Sequence, residues 1–489
     1  MYRSKTSFSH IKLDHRNIDD APDADVAWGP YHDIKDSPKH FWKGKMGGSH
    51  RTVWTASAHI ITAVIGSGVL SLPWCIAQLG WIAGPIALLV FSVITFFTSS
   101  LLADCYRSPD PVTGKRNYTY MEAVGANLGE RMRKICGFTQ YGSIVGYAIG
   151  YAVTAAVSMV AIYKSTCFSK RGYGAASCNI SSIPFIVLFG IAEIVLSQIP
   201  NFHKLSMLST IAAIMSFCYA SIGVALSLTK VILGNTGRAT VGGVEVGPNL
   251  SVAQKTWKMF SAIGDIEMAY SFTFILIEIQ DTIRAPAENK QMKKANLVGV
   301  TTTSVFYILS GCIGYAAFGN EAPGNLLSGV HDPLWLVNFA NVCIVVHIVC
   351  AYQKQILLTN LTVSSVESWS AKRWQTSKFI THEYLILLGI NINLFRLLWR
   401  SLFVVLATLF AMAIPFFNDI LALLGAIGYS PLTVYFPISM YIARRKIKRL
   451  TFRWVGLQTL NLFCLICAVA AACGSIQGII KALSVNPFS

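Results

Sequence analysis

Charged residues are scarce in this chain, and that scarcity decides its class. Only 13% of the 489 residues are Asp, Glu, Lys or Arg, whereas 53% are hydrophobic, and the mean hydropathy is +0.51. A soluble domain carries about 25% charged residues. The composition therefore excludes a soluble protein and predicts an integral membrane protein in contact with a lipid bilayer. The long apolar runs described below predict an all-α fold, because spanning helices satisfy their own backbone groups in lipid.

Signatures of enzymes are also missing. The sequence has neither a Walker phosphate loop nor an HExxH zinc motif, and its apolar segments hold no clustered nucleophile or metal site. We therefore expect no enzymatic activity, no metal and no cofactor. A re-entrant polar loop of the kind that forms a selectivity filter is lacking too, which disfavours a channel without excluding it.

Eleven apolar segments are long enough, or nearly so, to cross a bilayer. The fourth is short, and the ninth and tenth are separated by very few residues. The segments are 54–78, 82–104, 138–163, 182–199, 205–229, 257–281, 295–318, 333–354, 397–417, 419–442 and 456–480.

The basic residues predict the topology. Residues 1–50 are polar and aperiodic and show no signal peptide, so we expect a disordered cytosolic tail. With alternating crossings, 32 of the 40 Lys and Arg residues then fall on the cytosolic side, as positive-inside topology requires. The N-terminus is predicted to be cytosolic and the C-terminus extracellular. This distribution explains the net charge of +17 without a nucleic-acid partner.

The same topology predicts an internal repeat. Segments one to five, within 51–230, and segments six to ten, within 257–442, enter the membrane from opposite sides. Inverted repeats of this kind build many secondary transporters, and each repeat contributes one broken helix. We therefore predict a five-plus-five inverted repeat with helices one and six broken, followed by an extra span at 456–480.

The first segment contains the clearest candidate break, Gly66-Ser67-Gly68 followed by Pro73. Two glycines weaken a helix, and proline removes a backbone donor one turn later. We expect the helix to stop near Ile65 and restart near Gly68. A glycine kink for tight packing is the alternative, since open backbone at membrane depth must be buried or line a cavity.

The sixth segment is the counterpart of the first in the predicted inverted repeat, although its own sequence is a weaker indication of a break. Its centre holds Gly264, two carboxylates and the polar stretch 270–273, where a plain spanning helix is rich in Leu. Inverted symmetry predicts a discontinuity near 269–272. The matching positions of the two breaks in the two halves favour a substrate site over a packing kink.

Ionisable residues within spans are costly and suggest function. They are His59, Glu193, Asp265, Glu267, Glu278 and His347. A histidine titrates near neutral pH and suits a proton carrier, but a neutral histidine bonded between helices is an equally ordinary interpretation. Asp265 and Glu267 are two residues apart and point to different faces, so at most one of them need face a cavity.

The predicted extracellular loops carry candidates for modification. Cys167 and Cys178 lie in one such loop and are predicted to form a disulfide. Asn179 and Asn249 begin N-x-S glycosylation motifs on the same side. Such tripeptides are common by chance, and Asn179 is close to the membrane.

The run 55–74, which includes Gly66-Ser67-Gly68 and ends in Pro73-Trp74, resembles the first span of the plant amino acid permeases of the amino acid/auxin permease family. Further matching stretches extend from about residue 50 to the C-terminus. They are 105–107, 117–121, 199–203, 278–282, 286–290, 314–319 and 431–437. The resemblance implies a plasma-membrane, proton-coupled amino acid symporter with the five-plus-five broken-helix fold.

Given an amino acid substrate, its carboxylate is expected on the backbone amides of the restarted helix, since helix N-termini favour anions. Its ammonium is expected at freed carbonyls near Ile65 and Ala269. Tyr270 is a candidate wall for the substrate side chain, although a core tyrosine is nearly as good an interpretation. The predicted substrate site comprises Ile65, Gly66, Ser67, Gly68, Val69, Ala269, Tyr270 and Ser271.

The coupling proton has four candidate carriers. No basic residue lies in the middle of segment five, so a lysine there cannot stand in for a sodium ion, as it could in some relatives of this fold. Asp265 and Glu267 are preferred, His59 follows and His347 is last. A carboxyl could bind the proton if burial favoured its neutral form.

Two stretches depart from the family pattern. After Gln353 the family usually continues through an apolar Gln-Pro stretch, where this chain has the unusual sequence 354–360. Before Pro431 it usually has an aromatic pair, where this chain has Tyr429-Ser430. The first departure is the support for an alternative function, a transport-inactive amino acid sensor or a variant of altered specificity.

Overall fold

The computed structural model describes most of the chain beyond the N-terminal tail. The described residues are 52–172, 178–198, 205–248, 250–283, 288–330, 332–353, 366–367, 370–371, 373–374, 376–386, 390–414 and 416–485. The predicted tail 1–50, the sequon residue Asn249 and the unusual stretch 354–360 lie outside these ranges.

Helices dominate the described residues. They are α1 Val53–Val64, α2 Leu72–Asp104, α3 Tyr120–Leu128, α4 Glu130–Arg171, α5 Ile183–Ser197, α6 Leu205–Ile232, α7 Val252–Ala269, α8 Leu276–Asp281, α9 Glu288–Phe318, α10 Leu334–Tyr352, α11 Lys378–Thr381, α12 Leu394–Ala413, α13 Phe417–Gly428, α14 Phe436–Arg445 and α15 Phe452–Val485. Short 3-10 turns occupy Ser67–Leu70, Thr273–Ile275, Gly319–Glu321 and Leu326–Gly329, and Tyr429–Tyr435 forms a π-helical segment between α13 and α14.

Nine helical segments among the described residues are long and apolar enough to cross a membrane, and α1 and α5 are shorter apolar helices. The integral membrane class is therefore confirmed. The count of eleven spans and the inverted relation of the two halves stay predictions. Two antiparallel strand pairs add to the predicted helices, Arg107–Ser108 with Lys115–Arg116 and Glu383–Ile386 with Ile390–Asn393.

The boundary predicted between spans one and two agrees with the structure, whereas span three needs correction. Within α2 two helices meet at Gly80, whose φ of 88° and ψ of 174° are not helical, and this break lies between the predicted segments 54–78 and 82–104. A side chain at Gly80 would collide with the carbonyl of Val241, so the sharp change of direction there requires glycine. Helix α4 has 42 residues instead of the predicted 26-residue segment. At 1.5 Å per residue it is about 60 Å long, twice the thickness of the hydrocarbon core.

Helix α9 lies along both parts of the first broken helix. A Cβ at Gly299 would meet Ile60 of α1, and a Cβ at Gly311 would meet Ile76 of α2. Small residues allow close approach between helices in membranes. Because α9 contacts the chain on both sides of the first break, it holds the two parts in a fixed relation.

The loop between α6 and α7 is bonded to two helix ends. The amide of Val244 donates to the carbonyl of Ala77 at 2.8 Å, and the amide of Gly237 donates to the carbonyl of Ala317 at 3.1 Å. The hydroxyl of Tyr315 donates to the carbonyl of Thr240 at 2.9 Å. We call residues 237–244 the strap, because it joins the far end of the restarted helix to the end of α9.

Candidate functional site

The first break lies where the sequence predicted it. Helix α1 ends at Val64, Ile65 follows with φ −73° and ψ 87°, and Gly66 is extended. A 3-10 turn over Ser67–Leu70 then leads into α2, where Pro73 lies in the first turn and therefore lacks only an amide that a helix start leaves unbonded. The Gly-Ser-Gly sequence thus opens the helix for two residues and the proline helps to restart it.

The second break is also confirmed, at the position that symmetry predicted. Helix α7 ends at Ala269, and regular hydrogen bonding resumes only with the 3-10 turn at Thr273. This break contains neither glycine nor proline. Its conformation therefore depends on contacts with other helices.

The two breaks lie against each other. A Cβ built on Gly68 would be 3.4 Å from the Cα and 3.5 Å from the Cβ of Ala269. The restarted helix thus approaches the end of α7 so closely that the space beside Gly68 has room for a methyl group but not for a larger side chain. The residues predicted for one substrate site are consequently neighbours in space.

A tyrosine from a third helix joins the two breaks. The hydroxyl of Tyr307, on α9, lies 2.5 Å from the carbonyl oxygen of Val64 and 3.1 Å from that of Ala269. Tyr307 is fully buried, and its ring packs edge-on against Tyr270 with centroids 5.4 Å apart. Tyr307 was not among the residues predicted from the sequence, because a tyrosine within an apolar span has no local pattern that indicates a functional site.

The remaining predicted substrate residues are mostly buried around this junction. Ile65 and Val69 are buried, and the amide of Val69 already donates to the carbonyl of Gly66 at 3.3 Å. The hydroxyl of Tyr270 donates to Ser304 Oγ at 3.2 Å. The buried Oγ of Ser271 has no hydrogen-bond partner among the described residues. A buried hydroxyl without a partner is uncommon, and a bound polar ligand is one explanation for it.

Both predicted carboxylates are completely buried, and they face different neighbours. Asp265 Oδ2 accepts a hydrogen bond from the thiol of Cys75 at 3.7 Å, which links α7 to the restarted part of the first broken helix. Asp265 Oδ1 and both carboxyl oxygens of Glu267 have no hydrogen-bond partner within the described part of the chain. An ionised carboxylate in such surroundings is expensive, so both groups are suited to carry a proton.

The two histidines differ in surroundings. His347 on α10 is buried, its Nδ1 lies 2.8 Å from the carbonyl of Ala212 on α6, and its ring packs edge-on against Tyr219. Because a carbonyl only accepts, Nδ1 carries the proton, and His347 joins two helices as a neutral side chain can. His59 on α1 is only partly buried, and its carbonyl accepts from the hydroxyl of Thr62 at 3.1 Å.

The π-helical segment in the tenth predicted span is a second feature that the sequence analysis missed. Its Leu432 carbonyl accepts hydrogen bonds from the hydroxyls of Tyr120 at 2.6 Å and Thr273 at 3.3 Å. The Thr273 and Thr433 hydroxyls are 2.9 Å apart. Widened turns of this kind are frequent at functional sites, and this one contacts the residue at which the second broken helix restarts.

The departure at Tyr429-Ser430 lies at the start of the same segment. Tyr429 is fully buried, and its hydroxyl contacts Thr95 Oγ1 at 2.8 Å and the Phe91 carbonyl at 3.2 Å. Ser430 is buried as well. Tyr429 is therefore held by hydrogen bonds to α2.

The predicted disulfide and the first predicted sequon lie at the C-terminal end of α4, where Cys167 is still part of the helix. Cys167 and Cys178 are joined by a disulfide, with their Cα atoms 5.7 Å apart. Asn179 directly follows this disulfide and is exposed. The second predicted sequon residue, Asn249, is not among the described residues.

Two broken helices that meet at a buried junction define a class, the membrane transporters with a central site between discontinuous helices. The profile of the family described as transmembrane amino acid transporter protein matches residues 49–481. The match covers most of the 489 residues, and the chain belongs to this family.

The chain is similar to two amino acid permeases over most of their length, and a solved structure aligns with it more distantly. Amino acid permease 6 of Arabidopsis thaliana is 55% identical over 463 residues, which cover 93% of this chain and 95% of that protein. Amino acid permease 1 of the same organism is 54% identical over 442 residues, 89% of this chain and 90% of that protein. A crystal structure of MhsT in complex with L-phenylalanine aligns with a TM-score of 0.48 and 10% identity, covering 86% of this chain and 98% of that chain.

Proposed function

We propose that this protein imports amino acids together with protons across the plasma membrane, by alternating access around the junction of the two breaks. The N-terminus is cytosolic and the C-terminus extracellular. The observation that carries the proposal is the meeting of Gly68 with Ala269, each at the open part of a broken helix. Family membership and the amino acid permeases among the relatives supply the substrate class.

The substrate carboxylate binds at the start of the restarted helix. Amides at a helix start lack intrahelical acceptors and favour anions. Because the amide of Val69 already donates to the carbonyl of Gly66, the amides of Ser67 and Gly68 are the principal donors. The unpartnered hydroxyl of Ser271 is the side-chain group best suited to a further hydrogen bond with the substrate.

The substrate ammonium binds the carbonyl of Ala269. The carbonyl of Val64 already accepts from the amide of Gly66 at 2.8 Å and from Tyr307 at 2.5 Å, which uses both of its lone pairs. Within the described part of the chain, the carbonyl of Ala269 has only the longer contact with Tyr307, at 3.1 Å. This assignment moves the ammonium from the predicted position near Ile65 towards the second break.

Asp265 and Glu267 are the preferred carriers of the proton, before His59 and His347. The contact of Asp265 with Cys75 connects this carboxyl to the restarted helix that binds the substrate carboxylate. Glu267 is supported by its complete burial with both oxygens unpartnered in the described part of the chain. His347 ranks last because its ring already joins α6 to α10.

Uptake of radiolabelled amino acids in yeast that lacks its own permeases tests the proposal. We expect saturable uptake that rises as the external pH falls, because protons are then more available to the carrier facing outside. Asp265→Asn should remove this pH dependence while exchange of labelled for unlabelled substrate survives.

Glu267→Gln and His59→Gln are the matched comparisons for the coupling site. If all three variants keep the wild-type pH profile, the proton is carried elsewhere. Absence of uptake by protein shown to reach the cell surface would overturn the transporter proposal and favour the sensor. A panel of twenty competing amino acids then defines the substrate preference.

A further inference from the structure

The junction between the breaks contains two helix ends of the same polarity. Val64 is the last residue of α1, and Ala269 is the last residue of α7. The final carbonyls of a helix lack intrahelical donors and carry the negative end of the helix dipole. Two such ends that face each other need a hydrogen-bond donor or a cation between them.

Transport sites built on broken helices commonly meet this need with a coupling cation, which freed carbonyls coordinate. Here the hydroxyl of Tyr307 contacts both carbonyls, at 2.5 Å and 3.1 Å. The side chain is fully buried, and its ring is held against Tyr270. The hydroxyl therefore has a fixed position that depends on the packing of α9.

The packing of α9 determines the position of the Tyr307 hydroxyl. Gly299 contacts Ile60 before the first break, and Gly311 contacts Ile76 after it. Tyr307 lies between these two contacts on the same helix. The helix thus holds the hydroxyl at the level of the gap between α1 and the restarted helix.

From these contacts we infer that the Tyr307 hydroxyl is a built-in substitute for an alkali cation between the two helix breaks. It makes the junction independent of sodium, and it leaves the carbonyl of Ala269 able to accept from the substrate ammonium. Tyr307 is in this sense a positioning residue. The part of the inference that concerns substrate rests on the proposed function, whereas the sodium independence of the junction does not.

The variant Tyr307→Phe tests the inference, since it removes one oxygen and keeps the ring. Among the described residues, the Val64 carbonyl then keeps only the amide of Gly66, the Ala269 carbonyl loses the Tyr307 hydroxyl, and a space of atomic size opens between them that Na⁺ or Li⁺ can enter. Tyr315→Phe is the matched control, because Tyr315 is a buried tyrosine on the same helix whose hydroxyl also donates to a backbone carbonyl, that of Thr240.

The first measurement is the thermal unfolding of the purified full-length chain in sodium, lithium or choline chloride at equal ionic strength. In choline, both variants should unfold several degrees below the wild type, as expected for loss of a buried hydrogen bond. Sodium or lithium should raise the midpoint of Tyr307→Phe by several degrees relative to choline. The wild type and Tyr315→Phe should not respond to the exchange.

The second measurement is amino acid uptake in the same salts. Wild-type uptake should be equal in sodium and choline. For Tyr307→Phe the KM in choline should rise about tenfold, which corresponds to the loss of about 1.4 kcal/mol of binding free energy. Sodium should recover part of that loss.

Two results would overturn the inference. One is a wild-type chain whose unfolding midpoint or KM improves with sodium, because the junction would then hold a cation already. The other is a Tyr307→Phe variant whose midpoint and KM are those of the wild type, or whose loss is the same in all three salts. If the wild type shows no uptake while Tyr307→Phe is stabilised by sodium, the proposed function fails and the inference about the junction stands.

Discussion

The two helix breaks lie side by side but differ in backbone conformation and in cause: Gly66 in the first is extended, whereas Tyr270 and Phe272 in the second have ψ angles near zero. The first is encoded locally by Gly66, Ser67 and Gly68, with Pro73 to restart the helix. The second has no residue that opens a helix, and its conformation depends on hydrogen bonds from Thr273 to the π-helical segment and from Tyr307 to Ala269. A pair of breaks can thus consist of one that the local sequence makes and one that the surrounding helices impose.

The largest effect is expected from Gly68→Val, which acts on the contact between the breaks. The valine Cβ would lie 3.4 Å from the Cα of Ala269, and its two methyl groups would have to displace α7. Overpacking of this kind costs about 1–3 kcal/mol, and we expect uptake to fall by about 100-fold, since close approach of the two breaks forms the proposed substrate site. Radiolabelled uptake, normalised to protein at the cell surface, measures the loss.

Gly68→Ala is the matched variant for that experiment. Its single methyl group would lie at van der Waals contact with Ala269, 3.4 Å from the Cα, so only a small loss of uptake is expected. A Gly68→Val protein that transports with an unchanged KM would show that the two breaks need not touch.

A smaller effect is expected when the contacts that hold the second break are removed. Thr273→Val keeps the shape of the side chain and deletes the hydroxyl that bonds Thr433 and the Leu432 carbonyl. Loss of a buried hydrogen-bond partner costs about 1–3 kcal/mol. Uptake should fall about tenfold, with a lower unfolding midpoint.

Tyr120→Phe is the comparison for Thr273→Val, because it removes a hydrogen bond to the same Leu432 carbonyl from a helix outside the break. If both variants lower the midpoint but only Thr273→Val slows uptake, the π-helical segment acts through the second break. Equal losses of uptake in Tyr120→Phe and Thr273→Val would contradict the hypothesis that surrounding helices impose the second break.

The smallest effect on stability is expected from Ser271→Ala. The Ser271 hydroxyl has no partner among the described residues, so its removal should leave the unfolding midpoint within about one degree of the wild type. If the substrate binds this hydroxyl, KM should rise about threefold to tenfold, the range for one hydrogen bond. An unchanged KM would place the substrate away from the second break.

The difference between the breaks also explains what the sequence could predict. The positions of both breaks could be predicted from the sequence, the first from its glycines and proline and the second from its matching position in the other half. The role of Tyr307 could not be predicted, because its contacts reach 243 residues back to Val64 and 38 residues back to Ala269. The π-helical segment was equally inaccessible, since its stabilising hydroxyls come from Tyr120 and Thr273.

The boundary between the first two spans was predictable, but its cause was not. The sequence separates 54–78 from 82–104, and the two helices within α2 meet at Gly80, between these segments. The tight contact of Gly80 with Val241 of the strap is a long-range feature that a local pattern cannot reveal. Burial of Asp265 and Glu267 was predictable from their apolar segment, but the contact of Asp265 with Cys75 was not.

The strap has a mechanical consequence if the protein works by the proposed alternating access. Backbone hydrogen bonds from residues 237–244 reach Ala77 at the far end of the restarted helix and Ala317 at the end of α9. Because backbone hydrogen bonds join these three segments, we expect them to move together and to carry Gly68 and Tyr307 with them. A shared tilt would then preserve the geometry of the proposed substrate site while the passage on one side widens.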